Sequence, residues 1–333
     1  MKLKQFLLFL CIIQCSISLC ACSEVVQAPV NTEVEVAQAE AKISETLLVQ
    51  SEAEIINIEE IDTSFPEDYF EETEVVEPIE PQFLSFVDVK GNWYETEILQ
   101  DVPKHNYNWN YLINNESGIS YEGDPNYIIR RGIDVSDWQG TIDWKQVADA
   151  GYEFAILRLG YRGYGTKGTM KMDNTFYYNI QNASKYGIDV GVYFFSQAIN
   201  EAEALEEANY VLNALKGYSL QLPIVYDPEL ISHTKARTDN VTGEQFTQNT
   251  IVFCETVKAA GYTPMVYSNM IWEATLFDMT QLQAYDFWYA DYEMLPQTPY
   301  DFSIWQYSDH GRVPGIKGNV DLNIQFIPVE STP

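Results

Sequence analysis

Cysteine is nearly absent from the body of this 333-residue chain: Cys11, Cys15, Cys20 and Cys22 crowd the N-terminus, and only Cys254 lies beyond them. A disulfide framework or a cysteine-based zinc site in the body is therefore excluded. Histidine is as scarce. His105, His233 and His310 are scattered without ligand spacing and read as ordinary surface or core residues, so no metal is expected. Basic residues are few, with Lys+Arg 19 against Asp+Glu 49 and a net charge of −30. A nucleic-acid binder needs basic patches, so nucleic acid is not an expected partner. The apolar run near the start is too short to serve as a stable membrane span.

What is present divides the chain into four parts. Residues 1–21 carry Lys2 and Lys4 ahead of a short apolar core, the pattern of a secretory signal. Leu19-Cys-Ala-Cys22 resembles a bacterial lipobox, which would make Cys22 a lipidation site and the protein an anchored one on the outer face of a bacterial envelope. Residues 22–85 form an acidic tether: from Ser23 to Lys90 there are 18 acidic residues against two lysines, and like charges keep such a segment extended. Residues 86–130, with Trp93, Tyr94, Tyr107, Trp109, Tyr111 and Tyr121, are too aromatic for a linker and too short for an independent core. They are expected to pack on the domain that follows, 131–330.

In that last part helices end in glycine and an apolar strand follows. The spacing predicts helices over 143–150, 173–186, 200–215 and 242–260, closed by Gly151, Gly187, Gly217 and Gly261. Asn200 with Glu203, and Thr242 with Gln245, fit reciprocal N-terminal caps. Ala204, Ala208, Val211 and Leu215 make one apolar stripe. Strands are predicted over 130–135, 154–159, 190–195, 222–227, 264–267, 286–290, 302–306 and 320–322. Alternating helices and near-continuous apolar strands imply a parallel sheet covered by helices. An α/β fold follows, an irregular TIM-like (β/α) barrel, because the last strands lack room for full helices.

Leu222-Pro-Ile-Val-Tyr-Asp-Pro-Glu-Leu230 is the centre of the functional reading. Asp227 and Glu229 are two apart at the end of a strand, so they share a face with Cα atoms about 6–7 Å apart. Carboxylates held together repel, and at least one tends to keep a proton near neutrality. A protonated acid beside an ionised one is the equipment of glycoside hydrolysis. In a barrel, chemistry sits at the C-terminal ends of the strands. Asp134 and Asp291 also fall at strand ends, and Asp321 lies in the last strand. Aromatics recur at the same rim: Trp138, Tyr193, Phe195, Tyr226, Tyr267, Trp288, Tyr289, Trp305 and Tyr307. Acids converging among aromatics suit a polysaccharide.

Gly132-Ile-Asp-Val-Ser136, Trp138-Gln-Gly140, Asp227-Pro-Glu229, Trp288-Tyr-Ala290, Trp305-Gln-Tyr307 and Gly318-Asn-Val-Asp321 together resemble glycoside hydrolase family 25, the Chalaropsis-type lysozymes or N-acetylmuramidases. The likeness runs from about Arg131 to Phe326. It implies a flattened, irregular barrel and hydrolysis of the β-1,4 bond from N-acetylmuramic acid to N-acetylglucosamine in peptidoglycan, without metal or organic cofactor. It implies Glu229 as general acid, Asp227 as nucleophile or as stabiliser of the substrate's N-acetyl group, and Asp134 and Asp321 as flanking aspartates. Trp138, Tyr193, Phe195, Tyr226, Tyr267, Trp288, Tyr289 and Trp305 are the expected substrate-binding aromatics. Asp137, Asp143 and Asp291 are read as structural. The expected partners are peptidoglycan glycan strands and, through Cys22, a membrane; a monomer is expected. Pro228 departs from the pattern, since proline removes a ladder donor, though strand ends tolerate it. Two other readings compete: a catalytically silent glycan-binding lipoprotein, against which the four intact acids stand, and a hydrolase of chitin-like polymers, against which the opening and closing motifs stand.

Overall fold

The computed structural model describes residues 80–115, 118–231 and 234–329. The expected signal segment, Cys22 and the tether as far as residue 79 lie outside the described residues, as does His233.

Two hairpins come first. β1 (Phe83–Val87) pairs with β2 (Trp93–Glu97), and β3 (Leu112–Asn115) with β4 (Gly118–Tyr121), both antiparallel. β1 begins ahead of the expected boundary at residue 86, because Leu84 and Phe86 alternate onto one face and both pack on the core. Eight strands then close a barrel: β5 (Tyr127–Val135), β6 (Phe154–Arg162), β8 (Asp189–Phe195), β9 (Ile224–Asp227), β10 (Pro264–Asn269), β11 (Asp286–Ala290), β12 (Ile304–Gly311) and β13 (Val320–Pro328). The short β7 (Met170–Met172) folds back on β6. Neighbours run parallel around the ring except at β13, which is antiparallel to both β12 and β5. The parallel expectation is corrected there. Only eight residues separate β12 from β13, too few for the crossover a parallel return requires.

Helices α1 (Trp144–Asp149), α2 (Phe176–Lys185), α3 (Glu201–Ala214), α4 (Gly243–Ala259), α5 (Met270–Thr275) and α6 (Met279–Leu282) occupy the connections. Their closing glycines adopt the left-handed backbone, with φ 78° at Gly187 and 87° at Gly261. The caps form by half. Asn200 and Thr242 accept from the backbone N–H of Glu203 and Gln245, but Glu203 turns its carboxylate to Ile199 N and Arg237. The α3 stripe is fully buried as expected, and Glu207 lies buried beside it, ion-paired with Arg162 at 2.6 Å.

Among the described residues no long helix covers the outer face of β12 and β13. The N-terminal extension does so instead: the Tyr107 ring lies 4.2 Å from Phe326 and 5.1 Å from Phe302, and Trp109 meets Trp305 edge-on at 6.0 Å.

Strand parity sorts every side chain. Ile133, Leu157, Val192, Tyr226, Val266, Tyr289, Trp305 and Ile324 point outward into the main core under the helices and the extension. Phe154, Ile156, Val225, Met265, Trp288 and Ile304 point inward and form a second apolar cluster that floors the barrel. Gly132 is what lets Phe154 take that place, since a Cβ there would collide with its ring. The inward positions toward the rim are the ones that change character, to Asp134, Arg158, Asp227, Gln306 and Asn323.

Candidate active site

Asp134 is two residues past Gly132 on the inward face of β5, and Asp321 stands directly opposite it in the β5–β13 register. Because β13 runs antiparallel, its first residues reach the rim where the parallel strands end. Asp227 is the last residue of β9, and Glu229 follows just beyond. Asp134, Asp227, Glu229 and Asp321 line one cleft of about 280 Å³, together with Trp138, Arg158, Tyr193 and Phe195. Pro228 removes no ladder bond, because pairing of β9 stops at Asp227. Gln197 holds the segment after it, donating through Nε2 to the Glu229 carbonyl.

All four carboxyls are pushed above their ordinary range, chiefly by burial over the apolar floor. Glu229 rises to about 7, with the charge of Asp134 adding to burial and Arg158 opposing it. Asp227 is raised further, by burial and then by Glu229 and Asp134. Its Oδ1 is buried without a hydrogen-bond partner among the described residues. Asp227 and Glu229 thus form a coupled pair that keeps a proton near neutral pH.

Asp134 and Asp321 share a second proton. Asp134 Oδ2 accepts from Gln306 Nε2 at 2.8 Å and from Asn323 Nδ2 at 2.9 Å, which favours its ionised form against the burial that raises it. Asp321 has no such donors among the described residues, rises to about 9 through burial and the adjacent Asp134, and donates a hydrogen bond to Asp134. The two amides are themselves oriented. Trp288 Nε1 donates to Asn323 Oδ1 at 2.8 Å, and the hydroxyls of Tyr267 and Tyr292 both donate to Gln306 Oε1 at 2.9 Å. Gln306→Leu would strip Asp134 of one donor and leave two phenols without their acceptor. The expected cost is about 2 kcal/mol of stability, read from urea unfolding.

The opposite wall is built on Arg158, whose Nε donates to Asp173 at 2.8 Å and whose terminal nitrogen pairs with Asp137. Asp137 opens a short turn over Asp137–Gln139 whose N-terminal end is reciprocally capped by the Ser136 and Gln139 side chains, and that turn presents Trp138, 84% exposed, at the cleft mouth. Asp143 caps α1, accepting from Gln146 N. Asp291 accepts from Tyr289 Oη and from the backbone N–H of Glu293 and Gln297.

Three of the eight expected sugar-binding aromatics do not reach the cleft. Tyr226 packs on Phe253 of α4, Tyr289 on Phe302, and Trp305 on Trp109 of the extension, all fully buried on the outer face. Adjacent residues of a strand face opposite ways, so placing Asp227 and Trp288 inside already sends Tyr226 and Tyr289 outside. Trp288 and Tyr267 lie under the cleft, with ring centroids 4.8 Å apart, and act there as floor and support. Arg158, Gln306 and Asn323 were missed. A charged or amide side chain inside an otherwise apolar strand was their signal.

A closed barrel with four acids converging at the strand ends over an apolar floor is the site of a glycoside hydrolase. The family model for glycosyl hydrolases family 25 matches residues 133–316, more than half of the chain, and the chain belongs to that family. Asp321 falls beyond the end of the match and is tied to the site by its pairing with Asp134. Lysozyme M1 of Streptomyces globisporus is 32% identical over 203 residues, which cover 58% of this chain and 66% of that protein. An autolytic lysozyme of Clostridium acetobutylicum is 25% identical over 194 residues, covering 58% of this chain and 55% of that one. The modular autolysin LytC of Streptococcus pneumoniae shares the fold, with a TM-score of 0.54 at 24% identity, covering 73% of this chain and 56% of that chain. The chain spans about two thirds or less of the length of these relatives.

Proposed function

We propose that this protein is an N-acetylmuramidase, cleaving the β-1,4 bond between N-acetylmuramic acid and N-acetylglucosamine in peptidoglycan. The observation that carries the proposal is the Asp227–Glu229 pair, buried at the end of β9 and holding a proton near neutral pH in an open cleft. Membership of family 25 and the likeness to proteins named lysozymes support the substrate.

In this reading Glu229 protonates the departing glycosidic oxygen as positive charge builds on the muramic acid ring. With the pair's one proton on Glu229, Asp227 is ionised and meets that charge from the same cleft. It either bonds to the anomeric carbon or steadies the substrate's own acetamido oxygen as that atom attacks. Glu229, now ionised, takes a proton from the water that completes hydrolysis. Asp134, whose ionised form its two amides favour, and Asp321, hydrogen-bonded beside it, offer the sugar carboxyl oxygens as acceptors. Trp138, Tyr193 and Phe195 supply apolar faces for the rings.

The test is digestion of purified peptidoglycan with mass spectrometry of the soluble fragments. Reducing muramic acid ends are the expected product. Reducing glucosamine ends, or no release at all, would overturn the proposal. An envelope location belongs to the same reading, with the segment between a lipidated Cys22 and β1 as a tether; recovery of the protein in the membrane fraction only while Cys22 is intact is its check.

A further inference from the structure

The hairpin β1–β2 lies outside the family match, and it has two unlike faces. Leu84, Phe86 and Tyr94 turn inward, with Phe86 buried and its ring 5.4 Å from that of Tyr94. The other face bears Trp93, paired in register with Val87, and then Glu95 and Glu97. Trp93 is 73% exposed, although burying an indole is among the larger gains a fold can make. The hairpin is not loose. Asp88 gathers its turn by accepting from Lys90 N, Asn92 N, Asn92 Nδ2 and the Tyr94 hydroxyl, and Gly91 takes φ 82°. A rigid turn that holds a tryptophan in water is organised for something other than the core.

Its position is set by a chain of hydrogen bonds that ends in the cleft. Val87 exchanges both backbone groups with the Gln297 amide, at 2.8 and 3.0 Å. Gln297 N donates to Asp291, the residue that follows β11 at the rim. The next residue, Tyr292, donates to Gln306, which donates to Asp134. On that connecting rim loop Met294 is 72% exposed, and Tyr292 and Leu295 are also exposed. Exposed apolar side chains therefore stand along the hydrogen-bonded chain that links the hairpin to the cleft.

We propose that Trp93 is a distal sugar subsite, stacking on an N-acetylhexosamine of the same glycan strand beyond the residues held in the cleft. This rests on the glycan substrate proposed above. The chemistry favours a neutral sugar: an indole face takes the C–H face of a pyranose, and Glu95 and Glu97, which form no ion pair among the described residues, accept from hydroxyl or amide hydrogens. The same carboxylates favour the uncharged N-acetylglucosamine of the strand over a muramic acid residue at this position.

The experiment compares the full chain with Trp93→Ala and Trp93→Phe on peptide-free glycan strands and on a tetrasaccharide of the same repeat. Trp93→Ala should raise KM for long strands about tenfold relative to its effect on the tetrasaccharide, with kcat for long strands retained and Trp93→Phe recovering most of the loss. An equal change on both substrates, or no change on long strands, would overturn the subsite. Calorimetric binding of long strands to Glu229→Gln, with and without Trp93→Ala, separates the two proposals. If the wild type cleaves neither substrate the muramidase reading fails, and the subsite is then judged by whether Trp93→Ala weakens strand binding about tenfold or leaves it unchanged.

Discussion

Glu229→Gln is expected to lower kcat on peptidoglycan roughly 10³-fold while leaving glycan binding within a few-fold of wild type. The amide is nearly the same size and keeps a polar contact, but it has no proton to give to a leaving alkoxide. Wild-type activity should fall as pH rises through about 7, where Glu229 loses its proton. Stability should move with the same titration. A carboxyl raised from 4.5 to about 7 keeps its proton in the folded state over a window in which the unfolded chain has lost it. Stability is therefore full below about pH 4.5 and declines as pH rises through 7. Glu229→Gln removes the share of that decline that Glu229 contributes, leaving the shares of Asp134, Asp227 and Asp321. Its unfolding free energy should exceed that of wild type at pH 8 by on the order of 1–2 kcal/mol after allowance for partial exposure, and match it at pH 4. Full activity in this variant would remove Glu229 from the role of acid; a fall in stability at pH 8 would contradict the strained cleft.

Asp227→Ala should be at least as severe, about 10³-fold or more in kcat, with KM changed less. The reason is the unpartnered Oδ1. A buried carboxyl oxygen without a donor is a standing penalty on the folded state, and such atoms in a cleft mark where a substrate group completes the set. Charge developing on the sugar or on its acetamido group exists only near the transition state, so the lost interaction falls on kcat. The two chemistries open to Asp227 separate by intact-protein mass after treatment with an activated 2-fluoro glycoside. A covalent adduct on Asp227 makes it the nucleophile. Inhibition by a cyclised thiazoline sugar without any adduct assigns the attack to the substrate's acetamido oxygen. Near-normal turnover in Asp227→Ala would exclude both.

The barrel was legible along the chain because each strand carries its own local marks. The strand at Phe154 is apolar on both faces, as a buried parallel strand must be, and the glycines after α1 to α4 mark where each helix stops. The acids were legible for a related reason: Asp134 and Asp227 interrupt runs of apolar residues at their C-terminal ends. Which way a side chain faces was legible too, at Tyr226 and Tyr289, once their neighbours were placed inside. Nearness to the strand ends, read without parity, places them at the rim instead.

Asp321 marks the limit of such reading. Its motif is plain in the chain, but its place beside Asp134 depends on β13 running against its neighbours, a consequence of ring closure and a short connection that no local pattern encodes. The same holds for the proton it shares, since that requires two carboxyls 187 positions apart to stand opposite each other. Gln306 and Asn323 acquire their roles only when Trp288, Tyr267 and Tyr292 orient them. The hairpin that carries Trp93 is held by Phe86 in the core and by the amide of Gln297, 210 residues away from Val87. The sequence by itself determined the strands, the helix stops and the residues able to carry the chemistry, because backbone preference and burial act over a few neighbouring positions. Tertiary structure alone decided which of those residues share a proton, a donor or a surface, because such contacts depend on distances that only the closed barrel sets.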